Sequence, residues 1–417
     1  TAVSSALGTQ VIWAQPRGIE FFLRLTDKDI EVSASMSEGN RLLEWGTISY
    51  ADMEVKMWEW CQKNPDRGGD IKKRLNPTEG PSYSLPSWRA NEANIPTYLR
   101  LKVLQNKSVC PQHYLMQLSF LRKSKLNLLP GQFFHIVCDR DEGKRRGYSL
   151  TLPRPFSVHT VQYPNFDRRL LAAASSFPKE IREILVRQPS GFDFLYKVIG
   201  EGTKDLTGIS PGSLLDVFGP LGNGFSMGSE GVVVIVGGGI GIAPLVALAD
   251  TLRYLDREVH IYFGAMTKEL LRSALSRSDS TVELSFANGT QEFSDLIRTE
   301  FREIGINHVE VCTDDGSIGK KGLVTDILEG DIKSHLLPTK DVFFYACGPL
   351  GMLRAISEIA SRYSLKCEVL LEKRMACGTG ACLSCTCDVR GPGGIILKKR
   401  VCRDGPVFNA TEIVWKG

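Results

Sequence analysis

Between residues 231 and 364 short apolar runs recur, separated by longer amphipathic ones. Val232–Val236, His260–Phe263, Glu283–Ala287, Val309–Thr313 and Val342–Ala346 are brief and rich in β-branched or aromatic residues, which predicts buried strands. Helical periodicity lies between most of them. Alternating strands and helices predict a doubly wound parallel sheet. Upstream, Tyr98–Leu104, Tyr114–Phe120 and Gln132–Val137 predict strands, with a turn at Pro130-Gly131. Short strands with turn signals indicate a small antiparallel barrel that runs to about Phe225. Val161–Ser190 breaks this pattern as an insertion, with a helix expected at Lys179–Arg187.

The first 97 residues read differently. Ile19–Leu25 and Ile30–Ser33 look like strands and Ala51–Asn64 like a helix. Asn76–Pro96 is rich in Pro, Ser and Asn and reads as a linker or extended arm. The last fifty residues are rich in Gly and Cys, with Gly391-Pro392-Gly393-Gly394 as a tight loop between two strands. The expected division is therefore 1–97, an α+β extension; 98–228, an antiparallel β-barrel; 229–365, a doubly wound α/β domain; and 366–417, a small β domain. The fold class is multidomain α/β plus β.

Val232–Ala249 is long and uncharged, but Gly237-Gly238-Gly239, Gly241 and Pro244 make it strand, turn and helix rather than a membrane span. Net charge is +4, from 51 basic and 47 acidic residues. That balance gives no basic field for nucleic acid. Thr1–Gln10 is small and polar and fits the remnant beyond a transit-peptide cleavage site. Eleven cysteines are an odd count for a disulfide framework, so a reducing compartment is expected: cytoplasm, or an organelle matrix or stroma if a leader was removed.

Three groups of residues carry chemistry. The first is Gly237, Gly238, Gly239 and Gly241, between a strand and a helix. There the backbone can approach a pyrophosphate whose charge meets the helix N-terminus. The spacing departs from the strict dinucleotide fingerprint, and a ligand-free tight turn is the competing reading. Cys347-Gly348-Pro349 follows a later strand of the same sheet, so both turns are expected to face one crevice. The second group is Arg154-Pro155-Phe156-Ser157, then Tyr196-Lys197-Val198 and Gly202-Thr203. Arg can hold a pyrophosphate by paired hydrogen bonds, and Ser157 can bond a ring edge. Tyr196 can pack on a cofactor, and Gly202-Thr203 can offer amides to phosphate.

The third group is Cys377, Cys382 and Cys385, spaced C-x4-C-x2-C, with Cys402 after a short hairpin. Thiolates hold iron–sulfur clusters or zinc. The glycines at 378 and 380, which let the loop wrap a cluster and aim amides at its sulfurs, favour the cluster. Cys387 is a further thiol that spacing alone does not exclude as a ligand.

In their order, these motifs make residues 98–365 resemble the ferredoxin–NADP reductase-like flavoprotein module. Residues 98–417, with Val401-Cys402-Arg403-Asp404-Gly405-Pro406, resemble the electron-transfer subunits of class 1B dihydroorotate dehydrogenases. The resemblance implies FAD on the barrel at Arg154, Pro155, Phe156, Ser157, Tyr196, Lys197, Val198, Gly202 and Thr203. It implies NAD(P)(H) at Gly237, Gly238, Gly239, Gly241, Cys347, Gly348 and Pro349, and a [2Fe–2S] cluster on Cys377, Cys382, Cys385 and Cys402. No further catalytic side chain is implied. The chain would move electrons to or from a protein partner that carries the final substrate, possessing no (β/α)8 barrel of its own.

Departures from the family are Pro153, where a second Arg is common, the insertion at 161–190, and residues 1–97. Two other roles fit the same residues. One is an accessory or assembly subunit docked by the N-terminal segment, which holds five of the six tryptophans. The other is a reductase for a ferredoxin, hydrogenase or sulfur-reducing partner. After His260–Phe263, Gly264–Lys268 offers no Arg pair for a 2′-phosphate, which leans towards NAD(H).

Overall fold

The computed structural model describes residues 96–122, 126, 128–136, 154–162, 189–227, 231–275 and 290–415, with the backbone of four earlier strands. The expected helices at Ala51–Asn64 and Lys179–Arg187, the strand at Glu283–Ala287 and nearly all of the Asn76–Pro96 linker lie outside the described residues.

The four early strands are β1 (Thr9–Ala14), β2 (Ile19–Leu25), β3 (Ile30–Met36) and β4 (Leu42–Ile48). They pair antiparallel in sequence order. Strands are present where Ile19–Leu25 and Ile30–Ser33 predicted them.

The barrel comprises β5 (Thr97–Cys110), β6 (His113–Phe120), β7 (Phe133–Ile136), β8 (Arg154–Ser157), β9 (Thr160–Gln162), β10 (Gly191–Lys197) and β11 (Leu214–Leu221). A short helix, α1 (Glu201–Thr207), precedes the last strand. The order across the sheet is β8-β7-β11-β5-β6-β10-β9. Its two edges, β8 and β9, are separated in sequence only by Val158 and His159, so the sheet has to curl round on itself. Leu101, Val103, Met116, Leu118, Phe134, Phe156, Phe192 and Phe194 fill the inside. The insertion leaves from β9 and returns into β10, where Gly191 pairs with Gln162. The ladder from β8 to β10 is continuous through the described strands.

The third sheet has the order β15-β14-β13-β12-β16-β17-β20. Its strands are β12 (Val232–Gly238), β13 (Val259–Ala265), β14 (His308–Thr313), β15 (Lys320–Lys321), β16 (Val342–Cys347) and β17 (Lys366–Leu370), all parallel. Two pairs of valine and isoleucine neighbours in β12 show why a continuous apolar run is needed. Val233 and Ile235 enter the core on one face, Val234 and Val236 the core on the other. Full burial of such side chains stabilises by about 1.5–3 kcal/mol each. Helices α2 (Ala243–Tyr254), α3 (Lys268–Leu275) and α4 (Thr290–Arg302) carry side chains into the first core. Helices α5 (Val324–Lys333) and α6 (Leu350–Arg362) supply the second. This is the doubly wound arrangement the periodicity predicts.

The sheet continues past residue 365. β17 extends it in parallel, and β20 (Val407–Asn409) closes it antiparallel. Between them a hairpin of β18 (Thr386–Arg390) and β19 (Ile396–Arg400) turns at Pro392–Gly394, as the Gly-Pro-Gly-Gly run predicts. Asn223, just after β11, clamps this segment to the barrel. Its Nδ2 donates to the Val407 carbonyl and its Oδ1 accepts from the Val407 amide, both at 2.9 Å.

Candidate functional site

In the parallel sheet the chain runs from β12 outward through β13 and β14, then returns to β16 on the other side of β12. The order reverses between β12 and β16, and ligands of open α/β sheets bind at the strand C-termini at such a point. Gly237 and Gly238 end β12, and Gly239 and Gly241 lie in the single 3-10 turn Gly239–Ile242 before α2. Cys347 ends β16 directly opposite Gly237. Gly348 follows, and Pro349 caps α6. The two turns are in contact: a Cβ on Gly241 would lie 2.6 Å from the Gly348 nitrogen and Cα. A Cβ on Gly238 would lie 2.5 Å from the Met352 sulfur. At Gly241 the close approach is to backbone and requires glycine, whereas at Gly238 the flexible Met352 side chain could yield. Cys347 is fully buried, and that burial pushes its thiol well above the ordinary range, so it is a neutral group.

On the barrel, Arg154, Pro155, Phe156 and Ser157 form β8 and pair with Ile136, His135, Phe134 and Phe133 of β7. Phe156 packs inward against Phe194 and Tyr196. Tyr196 is buried near the end of β10, stacked on Tyr114, and its hydroxyl donates to Asn106 Oδ1 at 3.0 Å. Lys197 ends that strand and Val198 follows it. Gly202 and Thr203 fall in the first turn of α1, where Thr203 Oγ1 accepts the amide of Ile199 at 3.0 Å and that of Gly200 at 3.2 Å.

His159, two residues past β8, ties the barrel to the crevice. Its ring is buried, and Nδ1–H donates to the Ala243 carbonyl at 2.8 Å, at the start of α2. The sequence reading missed this residue, as it missed Asn223.

The four expected cluster cysteines come together. The Cys377 sulfur accepts the amides of Thr379 and Cys382, and Cys385 accepts the amide of Cys402, all at 3.4 Å. The thiols of Cys382 and Cys402 also donate to Cys377, holding it well below the ordinary thiol range. Cys385 is likewise lowered, chiefly by the Cys402 thiol. Amides aimed at sulfur favour thiolates, the form that binds iron. Cys387, on β18, differs: burial pushes it up to about 12.

Among the described residues, no three Cys, His, Asp or Glu side chains form a group that could hold a single metal ion. The cysteines form a chain of pairwise contacts instead. A two-iron cluster distributes its four thiolates over two metals, and three buried donors, the half-buried Cys382 and the inward amides suit it.

The loop around them is tightly shaped. Gly378, Gly380 and Leu383 have φ of +67°, +89° and +57°. The glycines were legible in the sequence; Leu383, buried with a positive φ, was not. The loop's far end is fixed by Arg400, whose backbone N donates to Asp404 Oδ2 at 2.7 Å, and whose Nε and Nη2 reach the carboxylate at 2.9 and 3.0 Å.

A family model for the iron–sulfur cluster binding domain of dihydroorotate dehydrogenase B matches residues 372–414. The electron transfer subunit of dihydroorotate dehydrogenase B (NAD(+)) from Caldanaerobacter subterraneus is 34% identical over 317 residues, covering 76% of this chain and 98% of that protein. The chain belongs to the dihydroorotate dehydrogenase B electron transfer subunits. A second member of this family, from Desulforamulus reducens, is 33% identical over 316 residues, covering 76% of this chain and 97% of its own. Among solved structures, the NADH-dependent reduced ferredoxin-NADP oxidoreductase, described for flavin-based electron bifurcation, superposes with a TM-score of 0.52 at 26% identity. It covers 76% of this chain and 90% of its own. As a member of this electron transfer family, the chain is an oxidoreductase subunit. About a quarter of it has no counterpart in the Caldanaerobacter protein. No helix among the described residues is long and apolar enough to cross a membrane.

Proposed function

We propose that this chain carries electrons between NAD(H) and a protein partner, through FAD on its barrel and a [2Fe–2S] cluster in its C-terminal loop. The observation that carries the reading is the meeting of three motifs around β7 and β8: the R-P-F-S strand itself, the glycine crevice joined to it through His159, and the four-cysteine loop, whose Gly378 lies against His135 of β7. Arg154 holds the FAD pyrophosphate and Ser157 the flavin edge. Pro155, Phe156, Tyr196, Lys197 and Val198 form the wall behind it, and Gly202 and Thr203 its phosphate end.

Gly237, Gly238, Gly239 and Gly241 admit the dinucleotide pyrophosphate at the head of α2. Cys347, Gly348 and Pro349 floor the nicotinamide end, where a neutral buried thiol neither donates charge nor competes for the transferred hydrogen. Cys377, Cys382, Cys385 and Cys402 hold the cluster. Together such groups supply hydride exchange, a two-to-one electron exchange and one-electron transfer. The protein's share is positioning and exclusion of water.

NAD(H) is the nicotinamide: Gly264–Lys268, at the end of β13 and just past it, carries no Arg for a 2′-phosphate, and the similar subunits are named for NAD(+). The substrate lies on a separate catalytic subunit, as in dihydroorotate dehydrogenase B. The thiols of the cysteine loop support a reducing compartment, the cytoplasm or an organelle matrix or stroma.

Anaerobically purified chain should carry one FAD, two irons and two acid-labile sulfides, and NADH should bleach its visible spectrum. Colourless protein overturns the reading. A second reading, a reductase that serves a ferredoxin, draws on the likeness to the ferredoxin-NADP oxidoreductase structure. Co-purification of an FMN-containing catalytic subunit favours the first reading, and of a ferredoxin the second.

A further inference from the structure

His135 lies in β7 and is 1% exposed. Its partner across the ladder is Pro155, and Phe133 faces Ser157 in the same way. Opposed residues of an antiparallel pair share a face, as do residues two apart. His135, Phe133, Pro155 and Ser157 therefore occupy one face, while Phe134 and Phe156 turn into the barrel core. The other side of the same ring meets the cysteine loop. A Cβ on Gly378 would lie 2.5 Å from His135 Cε1 and 2.6 Å from Nε2. Gly378 follows Cys377 directly, and its φ of +67° already favours glycine. The imidazole thus rests on the backbone next to a cluster ligand while sharing its sheet face with the flavin strand.

We propose that His135 is a positioning residue that joins the flavin strand to the cluster loop and sets the reduction potential of the cluster held there. The inference rests on the function proposed above. Two physical effects combine at this side chain. Its buried ring, 5.8 Å from that of Phe133 between centroids, is a rigid wedge under Gly378. Its N–H dipole lies beside the loop, and hydrogen bonds and dipoles near an iron–sulfur cluster are among the protein's main means of tuning it. A polar N–H favours the reduced, more negative cluster. An apolar side chain of similar bulk keeps the wedge and loses the dipole. A small one loses both.

The test uses the full chain with its cofactors. His135→Leu should shift the oxidised-to-reduced ratio of the cluster at fixed ambient potential about tenfold towards oxidised, about 59 mV for a one-electron couple. His135→Gln, which restores an N–H near the Nε2 position, should titrate close to the parent. Gly378→Ala should lower bound iron, and His135→Ala in the same chain should restore part of it, a non-additivity that reports direct contact. The proposal is overturned if His135→Leu keeps the parent's midpoint and electron paramagnetic resonance spectrum, or if the Gly378 and His135 changes simply add. Parent protein without flavin or iron overturns the function and this inference together. Loaded parent with unmoved variants overturns the role of His135 alone.

Discussion

The buried imidazole of His159 donates to the backbone carbonyl of Ala243 at 2.8 Å, so the segment after β8 and the helix behind the glycine turn are held at one junction. Removing one side of a buried hydrogen bond strands the other, at a cost of about 1–3 kcal/mol. His159→Ala should lower stability by that amount in denaturant unfolding. It should also weaken NAD(H) binding, because the crevice no longer sits in register with the barrel. Unchanged unfolding and affinity would show that the contact is incidental.

The two glycine turns make a sharper case. A methyl at Gly241 must displace the Gly348 backbone, which has no flexible side chain to yield. Overpacking of this kind costs about 1–3 kcal/mol, and here it falls on the crevice proposed for the nicotinamide. Gly241→Ala should raise the Kd for NAD(H) about tenfold or more in a fluorescence titration, while FAD content stays at the parent level. Gly330→Ala, in α5 where a Cβ meets nothing within 4 Å and the backbone is helical, is the control for a change away from the crevice.

Cys377 and Cys387 lie ten residues apart with opposite environments. The first receives two amides and two thiols, and the second is held as a neutral thiol by burial. Cys377→Ser should abolish bound iron and the red-brown absorbance. Cys387→Ser should keep both. Iron loss in the Cys387 variant would move the ligand set.

His308 supplies a pH test away from the redox site. Burial, and next the charge of His260 stacked at 4.3 Å, hold its pKa below the ordinary value. A depressed folded pKa means that the unfolded chain binds the proton more readily. Its contribution is present above the unfolded value of about 6.5 and is lost as pH falls through the folded value. His308 also contacts the Tyr262 hydroxyl, which bonds Asp331. His308→Gln keeps a polar group there and removes the titration. Between pH 7.5 and 5.5 its Tm should therefore fall less than that of the parent, as scanning calorimetry can read.

Much of this architecture was open to the sequence because its periods were clean. Val232–Val236 could only be a strand buried on both faces, and C-x4-C-x2-C with two glycines could only be a wrapped thiol loop. β3 was read only to Ser33, although Ile30, Val32, Ala34 and Met36 alternate with Glu31, Ser33 and Ser35 to its end at Met36. The full alternation would have extended it. β17 and β20 join one sheet across a cysteine loop, and no local pattern announces a partner some forty residues away. His135, His159 and Asn223 were invisible for the same reason. None belongs to a motif in the sequence, and the importance of each lies wholly in what the fold brings against it. Leu383 has a positive φ that only glycine would have signalled.

The central claim is that one chain connects nicotinamide to cluster by way of the barrel. A stepwise anaerobic titration of the purified chain with NADH, followed by absorbance and electron paramagnetic resonance together, addresses it directly. The account predicts that flavin bleaching and the signal of a reduced [2Fe–2S] cluster both develop within about two equivalents of NADH, and that Cys377→Ser retains the first and loses the second. Flavin that bleaches in the parent while its cluster stays oxidised, or a cluster signal that survives Cys377→Ser, would contradict it.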